Sequence, residues 1–256
     1  INGGVKAIGV AVADSPTGPF VDIGKPLVDV GPGYGQQIDP DAFQDPVTGK
    51  YYLYWGNGYM AVAELNDDLV SLVPGTTKII TPQNADFREA PYVIYRNGIY
   101  YFLWSQDDTG SPNYQVRYGT STSPTGPIVG NHQILFRDDS QGIYGPAHNS
   151  VLQIPGRDEW YMVYHRISRP DGLSNVGPGN HREVCIDRMY FDEEGNIIPV
   201  IPTLKGISPV ILNPIQYSSV SKLEKNAEIV VDIEFSDLAV KKDTAVAVVC
   251  LYDNDN

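Results

Sequence analysis

Three stretches of the chain carry the same cassette, a short segment holding one polar residue followed by an aromatic, strand-like run. The polar residue is Asp39 in Ile38-Asp39-Pro40, Glu89 in Arg88-Glu89-Ala90-Pro91 and His148 in Gly145-Pro146-Ala147-His148-Asn149. The runs are Tyr51-Tyr52-Leu53-Tyr54-Trp55, Tyr100-Tyr101-Phe102-Leu103-Trp104 and Trp160-Tyr161-Met162-Val163-Tyr164-His165. From Asp39 to Tyr51, Glu89 to Tyr100 and His148 to Trp160 the steps are 12, 11 and 12 residues, and successive polar residues lie 50 and 59 apart. A period of that size fits a four-stranded propeller blade with loop insertions, and repeated units of this kind bury their faces only by stacking on copies of themselves. The polar residues therefore occupy one repeated place, at the start of the innermost strands, and meet at the channel mouth.

Each aromatic run is followed by a third strand: Ala61–Leu65, Gln115–Thr120 and Val184–Phe191. Ile8–Ala13 fits the same slot, because the peptide after it, Ser15-Pro16-Thr17-Gly18-Pro19, recurs as Ser123-Pro124-Thr125-Gly126-Pro127 after the third strand of the Glu89 repeat. Pro-Thr-Gly-Pro cannot lie in a central strand and marks a tight exit to an edge strand. The chain thus opens at the third strand of a blade and continues through three nearly whole blades. With Gly 25, Pro 20 and Tyr 17 and no sustained helical periodicity, the expectation is an all-β fold with very little helix. Residues 1–212 are read as a partial propeller and 213–256 as a linker and the beginning of a C-terminal β-domain, with strands at 227–235 and 245–251.

A formal charge of −13 argues against nucleic acid or an anionic membrane as partner and suits a neutral ligand. No apolar run approaches the ~18 residues of a membrane span, and Ile1-Asn2-Gly3-Gly4 is not a signal peptide. Cys185 and Cys250 are too few for a disulfide framework and read as buried thiols.

Glu89 has apolar and aromatic neighbours in sequence, where desolvation would keep a carboxyl protonated near neutrality, as a general acid requires. A second carboxylate close by, Asp39, would reinforce this. Paired carboxylates in an aromatic-lined funnel suit glycoside hydrolysis; the bland alternative is a turn cap or a partner for an arginine. His148 could orient substrate, hold water or ligate a metal. Arg182 could reach a sugar hydroxyl or a carboxylate, or simply pair with Glu183. Trp55 and Trp104 could stack on sugar rings or fill the blade core, whereas Trp160, His165 and His181 read as structural and Asp107-Asp108 as a solvated turn.

Ile38-Asp39-Pro40-Asp41-Ala42-Phe43 with Lys50 to Gly56, Glu89-Ala90-Pro91-Tyr92 with Asn97 to Tyr101, and Ala147-His148-Asn149-Ser150-Val151 with Asp158 to His165 together resemble glycoside hydrolase family 43. The resemblance covers about Ile8 to Thr203. It implies a five-bladed β-propeller, of which this chain holds the end of the second blade through the fifth, and an inverting arabinofuranosidase, arabinanase or xylosidase acting on pentose-containing polysaccharide. By it Glu89 is similar to the general acid, Asp39 to the aspartate that tunes that acid and orients substrate, and Arg182 to an arginine contacting the sugar or the acids. His148 is similar to an axial histidine that in some members binds a calcium or other ion through its ring and waters. The resemblance also implies a secreted or periplasmic setting. The family's general base, an aspartate early in the first blade, has no counterpart here, and Asp14 follows a third strand and is no substitute. The missing blades, in the same or another polypeptide, are the expected partner, and without them the chain is expected to be inactive. Two other readings stay open: a carbohydrate-binding propeller without turnover, and a scaffold for protein partners.

Overall fold

The computed structural model describes residues 6–168 and 181–208. The expected domain boundary at 212, the C-terminal strands, Cys250 and most of the 168–180 loop lie outside these. Among the described residues there is no helix. The strands β1 (Ile8–Val12) and β2 (Val21–Val28) form a two-stranded sheet. Three four-stranded antiparallel sheets follow in chain order: β3 (Asp41–Gln44), β4 (Tyr51–Trp55), β5 (Ala61–Leu65) and β6 (Lys78–Ile79); β7 (Glu89–Arg96), β8 (Ile99–Gln106), β9 (Gln115–Ser121) and β10 (Val129–Leu135); β11 (Ala147–Gln153), β12 (Trp160–Ile167), β13 (Arg182–Phe191) and β14 (Ile197–Ile198). This is half a blade and three whole ones, as the repeat predicts. All these strands fall in one compact unit within residues 1–153 and 159–207; of a second unit only residues 154–158 and Ser208 are described.

The twin Ser-Pro-Thr-Gly-Pro turns match atom for atom. Each closes with a glycine N–H donated to the first serine carbonyl, 2.9 Å at Gly18–Ser15 and 3.3 Å at Gly126–Ser123, and each pairs its serine and threonine hydroxyls. Both Gly-Pro bonds are cis. β1 and β9 are therefore the same third strand in two blades separated along the chain by the β3–β6 sheet, each delivered to its edge strand by the same turn.

Side chains of a strand alternate between two faces, and each aromatic strand divides its faces between two cores. On β4, Leu53 and Trp55 pack towards the half blade with Ile8, Val28 and Tyr59. Tyr52 and Tyr54 pack instead with Tyr100, Phe102 and Trp104 of β8. The other face of β8, Tyr101 and Leu103, joins Trp160, Met162 and Tyr164 of β12. Tyrosine rather than phenylalanine recurs because the hydroxyls tie blade to blade. Tyr54 donates to Pro124 O at 2.6 Å, Tyr101 to Gly195 O at 2.6 Å and Tyr100 to Asp45 Oδ1 at 2.7 Å.

The inner strands are tied as well. Asp41 on β3 accepts the Val93 N–H of β7 at 2.9 Å, and Tyr92 on β7 donates to Val151 O of β11 at 3.0 Å. Burial outweighs that one hydrogen bond and raises the Asp41 pKa from 3.8 to about 7. Between those two values the folded protein keeps a proton that the unfolded chain has lost. Stability therefore falls as pH rises through the window, by about 1.4 kcal/mol per pH unit, and the penalty is complete above the folded value. Asp41→Asn keeps an acceptor for Val93 and abolishes the titration. Thermal unfolding should show the variant equal to the wild type near pH 4 and more stable at pH 8, by on the order of 2–4 kcal/mol at most. A variant less stable than wild type at pH 8 would show that the Asp41 charge is tolerated in the fold.

Candidate active site

The three polar residues converge: Asp39, Glu89 and His148 each place one donor atom within 4.8 Å of the others. They do so by a register that the even spacing conceals. Asp41 faces Tyr54, Tyr92 faces Leu103 and Ser150 faces Val163, which aligns the three aromatic strands residue for residue. Asp39 and His148 then lie two places before the aligned residue and Glu89 lies three. The steps look alike because the β7–β8 hairpin is shorter, with four residues between Tyr95 and Tyr100 against six between Gln44 and Tyr51. Glu89 is thus equivalent to Ile38 and Ala147, not to Asp39 and His148.

The inner strands share a kink that makes this harmless. Between Glu89 and Tyr92, and between Ala147 and Ser150, three steps on β7 or β11 oppose two on the partner, a β-bulge. At the corresponding place in every blade one residue is left-handed: Asp39 at φ 56°, Ala90 at 57° and His148 at 51°. Such a conformation costs a non-glycine residue on the order of 1 kcal/mol or more and gathers at functional sites. A bulge re-aims side chains, so adjacent positions on different blades still supply groups to one point.

Each carboxylate is held differently. Contrary to the apolar surroundings its sequence neighbours suggest, Glu89 has a donor on each oxygen: Asn57 Nδ2 on Oε2 at 2.5 Å and the Tyr114 hydroxyl on Oε1 at 2.6 Å. Tyr114 is fully buried, and burial together with its bond to Glu89 raises its pKa. Ser105, beside the phenol, partly opposes that rise, and its Oγ accepts the His148 N–H at 2.9 Å. The Ala90 N–H lies near enough to Asp39 to act against the rise of its pKa, while the Asp39 Oδ2 is buried and lacks a protein partner. Desolvation raises the Asp39 pKa; His148 opposes the shift and Glu89 reinforces it.

His148 lies beside His165, ring centroids 6.2 Å apart, and His165 lies 5.7 Å from the Tyr114 ring. Burial, then the positive charge of Arg182, then His148, push the His165 pKa down to about 3, so this ring is neutral at any physiological pH. Arg182 is exposed at the start of β13, opposite Ile167. Glu183, its anticipated alternative partner, pairs with Arg166. Arg182 therefore flanks the cluster by way of His165.

The tryptophans are a correction. Trp55 and Trp104 are 0% exposed. Each points into a core between blades, the Trp55 indole N–H donating to Gln37 Oε1 at 2.9 Å, so neither offers a face to a sugar. The sequence reading also left Asn57, Ser105 and Tyr114 without an assigned role and took His165 as structural. A signal for three of them was present. The residue after each aligned run, Gly56, Ser105 and His165, faces the first bulge position of its blade, and Asn57 follows Gly56. Gly56 cannot carry a side chain, since a Cβ there would lie 2.0 Å from Tyr59 O.

The cluster does not fit a protein-held calcium. Both Glu89 oxygens are already engaged, leaving Asp39 Oδ2 and an imidazole, whereas calcium takes six to eight oxygen ligands. An ion by His148 would depend on water for most of its shell. Cys185 is a free, half-buried thiol away from this chemistry.

Comparison with known proteins gives a consistent picture. The sequence profile of Glycosyl hydrolases family 43 matches residues 2–197. The chain is 42% identical over 207 residues to a beta-D-galactofuranosidase of Aspergillus niger, covering 78% of this chain and 57% of that protein. It is 30% identical over 234 residues to an arabinoxylan arabinofuranohydrolase of Bacillus subtilis, covering 81% and 44%. Among solved structures, an alpha-L-arabinofuranosidase from Clostridium thermocellum superposes with a TM-score of 0.62 at 31% identity, covering 78% of this chain and 66% of that one. The chain thus spans about half the length of the two curated relatives, and its blades are part of a five-bladed propeller.

Trp55→Phe and Trp104→Phe should each lower the melting temperature and leave sugar affinity unchanged. Trp55→Phe should cost more, by about 1 kcal/mol, because it alone breaks a buried hydrogen bond, to Gln37. Reduced sugar binding at unchanged stability would return the indoles to the binding surface.

Proposed function

Because the chain belongs to glycosyl hydrolases family 43, we propose that it forms the acid-bearing part of an inverting glycoside hydrolase that removes or cleaves arabinose- or xylose-type residues in plant polysaccharide or oligosaccharide. The observation that carries this reading is the cluster itself: a glutamate with a donor on each oxygen, a half-buried aspartate with one oxygen unpartnered, and a histidine, all within 4.8 Å on three blades. The named activities of both curated relatives concern furanosides, which supports arabinofuranosides as the first candidate substrates. Such substrates lie outside the cell, which suits a secreted or periplasmic enzyme.

In this mechanism Glu89 protonates the departing glycosidic oxygen. Asp39, beside it, orients the acid and the substrate. His148 and Arg182 line the same mouth, His148 as a hydrogen-bonding group for sugar or water and Arg182 as a positive charge at the rim. An inverting pair of carboxyls stands roughly 6.5–9.5 Å apart to admit the attacking water. Asp39 and Glu89 are closer than that, so Asp39 is not the base. The base is assigned to blades beyond this chain, in the same or another polypeptide.

Three measurements test the scheme. In the complete enzyme, Glu89→Gln should lower kcat by roughly 10²–10⁴ on natural oligosaccharides and far less on 4-nitrophenyl α-L-arabinofuranoside, whose leaving group needs little protonation. Equal losses would count against the acid role. Proton NMR of the first-formed sugar should show inversion; retention would make Asp39 the nucleophile. The chain alone should not turn over the aryl glycoside, and turnover would locate the base within it. A carbohydrate-binding propeller is the competing reading, and it predicts oligosaccharide binding without hydrolysis even by the complete protein.

A further inference from the structure

Glu89 meets two different kinds of donor. Asn57 presents Nδ2 to Oε2 at 2.5 Å. An amide nitrogen carries only hydrogens, so a proton on Oε2 would be forced against them. Tyr114 presents a hydroxyl to Oε1 at 2.6 Å, and a hydroxyl can donate or accept. Its freedom to turn depends on a second acceptor for its hydrogen, and the hydroxyl of Ser105 lies beside the phenol to serve as one. The Ser105 Oγ is in turn fixed by the His148 N–H at 2.9 Å. Glu89 and Tyr114 thus share one hydrogen bond that can run in either sense, with Ser105, anchored by the His148 N–H, as the neighbour to which the phenol can turn.

We infer that Asn57 and Tyr114 are positioning residues that decide which oxygen of the general acid bears the proton, Asn57 reserving Oε2 as an acceptor and Tyr114 accommodating the acid proton on Oε1. The inference rests on the reading of Glu89 as the acid. Before reaction Glu89 Oε1–H lies beside Tyr114, whose own hydrogen turns to Ser105. As the glycosidic bond breaks, the bonding pair goes to the departing oxygen. That oxygen takes the proton from Oε1, and the O–H bond of Glu89 breaks. Tyr114 then turns its hydrogen back to the new carboxylate, and its O–H bond never breaks. Asn57 serves both states unchanged. The proton is delivered from one defined oxygen, and neither state of Glu89 leaves a partner unsatisfied. None of the three supporting side chains touches the sugar in this scheme.

Tyr114→Phe in the complete enzyme removes only the hydroxyl. We expect kcat on an arabinoxylo-oligosaccharide to fall about 10- to 100-fold, in the range of a lost proton-transfer contribution. KM should stay within about twofold, and kcat on 4-nitrophenyl α-L-arabinofuranoside within about threefold. A structural role would lower both rates together, so an equal loss, or no loss, overturns the inference. Ser105→Ala withdraws the second partner of Tyr114 while leaving the phenol in place. It should show the same dependence on leaving group in milder form, and it decides the matter if Tyr114→Phe fails to fold, as judged by circular dichroism and melting temperature. Glu89→Gln measured alongside separates the two levels. If it too lacks leaving-group dependence, the acid assignment fails; if it shows the dependence and both other variants do not, only this inference fails.

Discussion

The aromatic second strand of each blade has no exposed side. Residues at alternate positions on β4 and β8 serve different cores, so a single blade leaves half of its largest side chains unburied until its neighbours arrive. Burial at ~25 cal/mol per Å² of apolar surface makes this the dominant favourable contribution to folding. It also makes the blades mutually dependent, because Tyr54, Phe102 and Trp104 belong to a core that no one sheet encloses. The tyrosine hydroxyls add direction. Each reaches a backbone carbonyl or carboxylate on the next blade and fixes how far one sheet is rotated against another. The inner strands are carried along by this stacking, and the position of every group in the cluster is set by it.

The inner strands contribute a second constraint. The bulge with its left-handed residue recurs at Asp39, Ala90 and His148 whatever the side chain there, so the backbone shape belongs to the blade and not to the chemistry. The turn Gly56-Asn57-Gly58 shows how closely the parts are fitted. Asn57 pairs with Gln36 on one side and with Glu89 on the other, and the Gly58 N–H reaches Arg88 O at 2.7 Å. A loop from one blade thereby grips the bulge of the next, and it brings the amide that holds Glu89.

Much of this was legible in the sequence. The cassette, the twin Ser-Pro-Thr-Gly-Pro turns and the half blade at the start follow from pattern alone, because strand periodicity and turn chemistry are local. The convergence of Asp39, Glu89 and His148 followed from the repeat. What failed was finer than the repeat. A shorter hairpin and a one-residue register offset nearly cancel between Glu89 and Tyr100, so equal spacing passed for equal position. Trp55 ends its strand and Trp104 lies near the end of its own, where sequence does not say which face a core claims; alternation with Leu53 and Phe102 settles it only once the neighbours are known. Tyr114 enters from just before β9, far from the cassette, and nothing in its local sequence points to Glu89.

The offset of Glu89 says something about how such a site can change. Both positions of the bulge, the left-handed residue and the one before it, can deliver a group to the same point, and each blade uses only one: Ile38 beside Asp39, Glu89 beside Ala90, Ala147 beside His148. The other position in each pair is apolar, while the polar one joins the cluster. A blade can therefore exchange which of the two is polar, and so alter the reach and angle of its functional group, without disturbing the aromatic strand behind it. The propeller behaves as a mount with two interchangeable sockets per blade, and the reaction it supports is a matter of which sockets are filled.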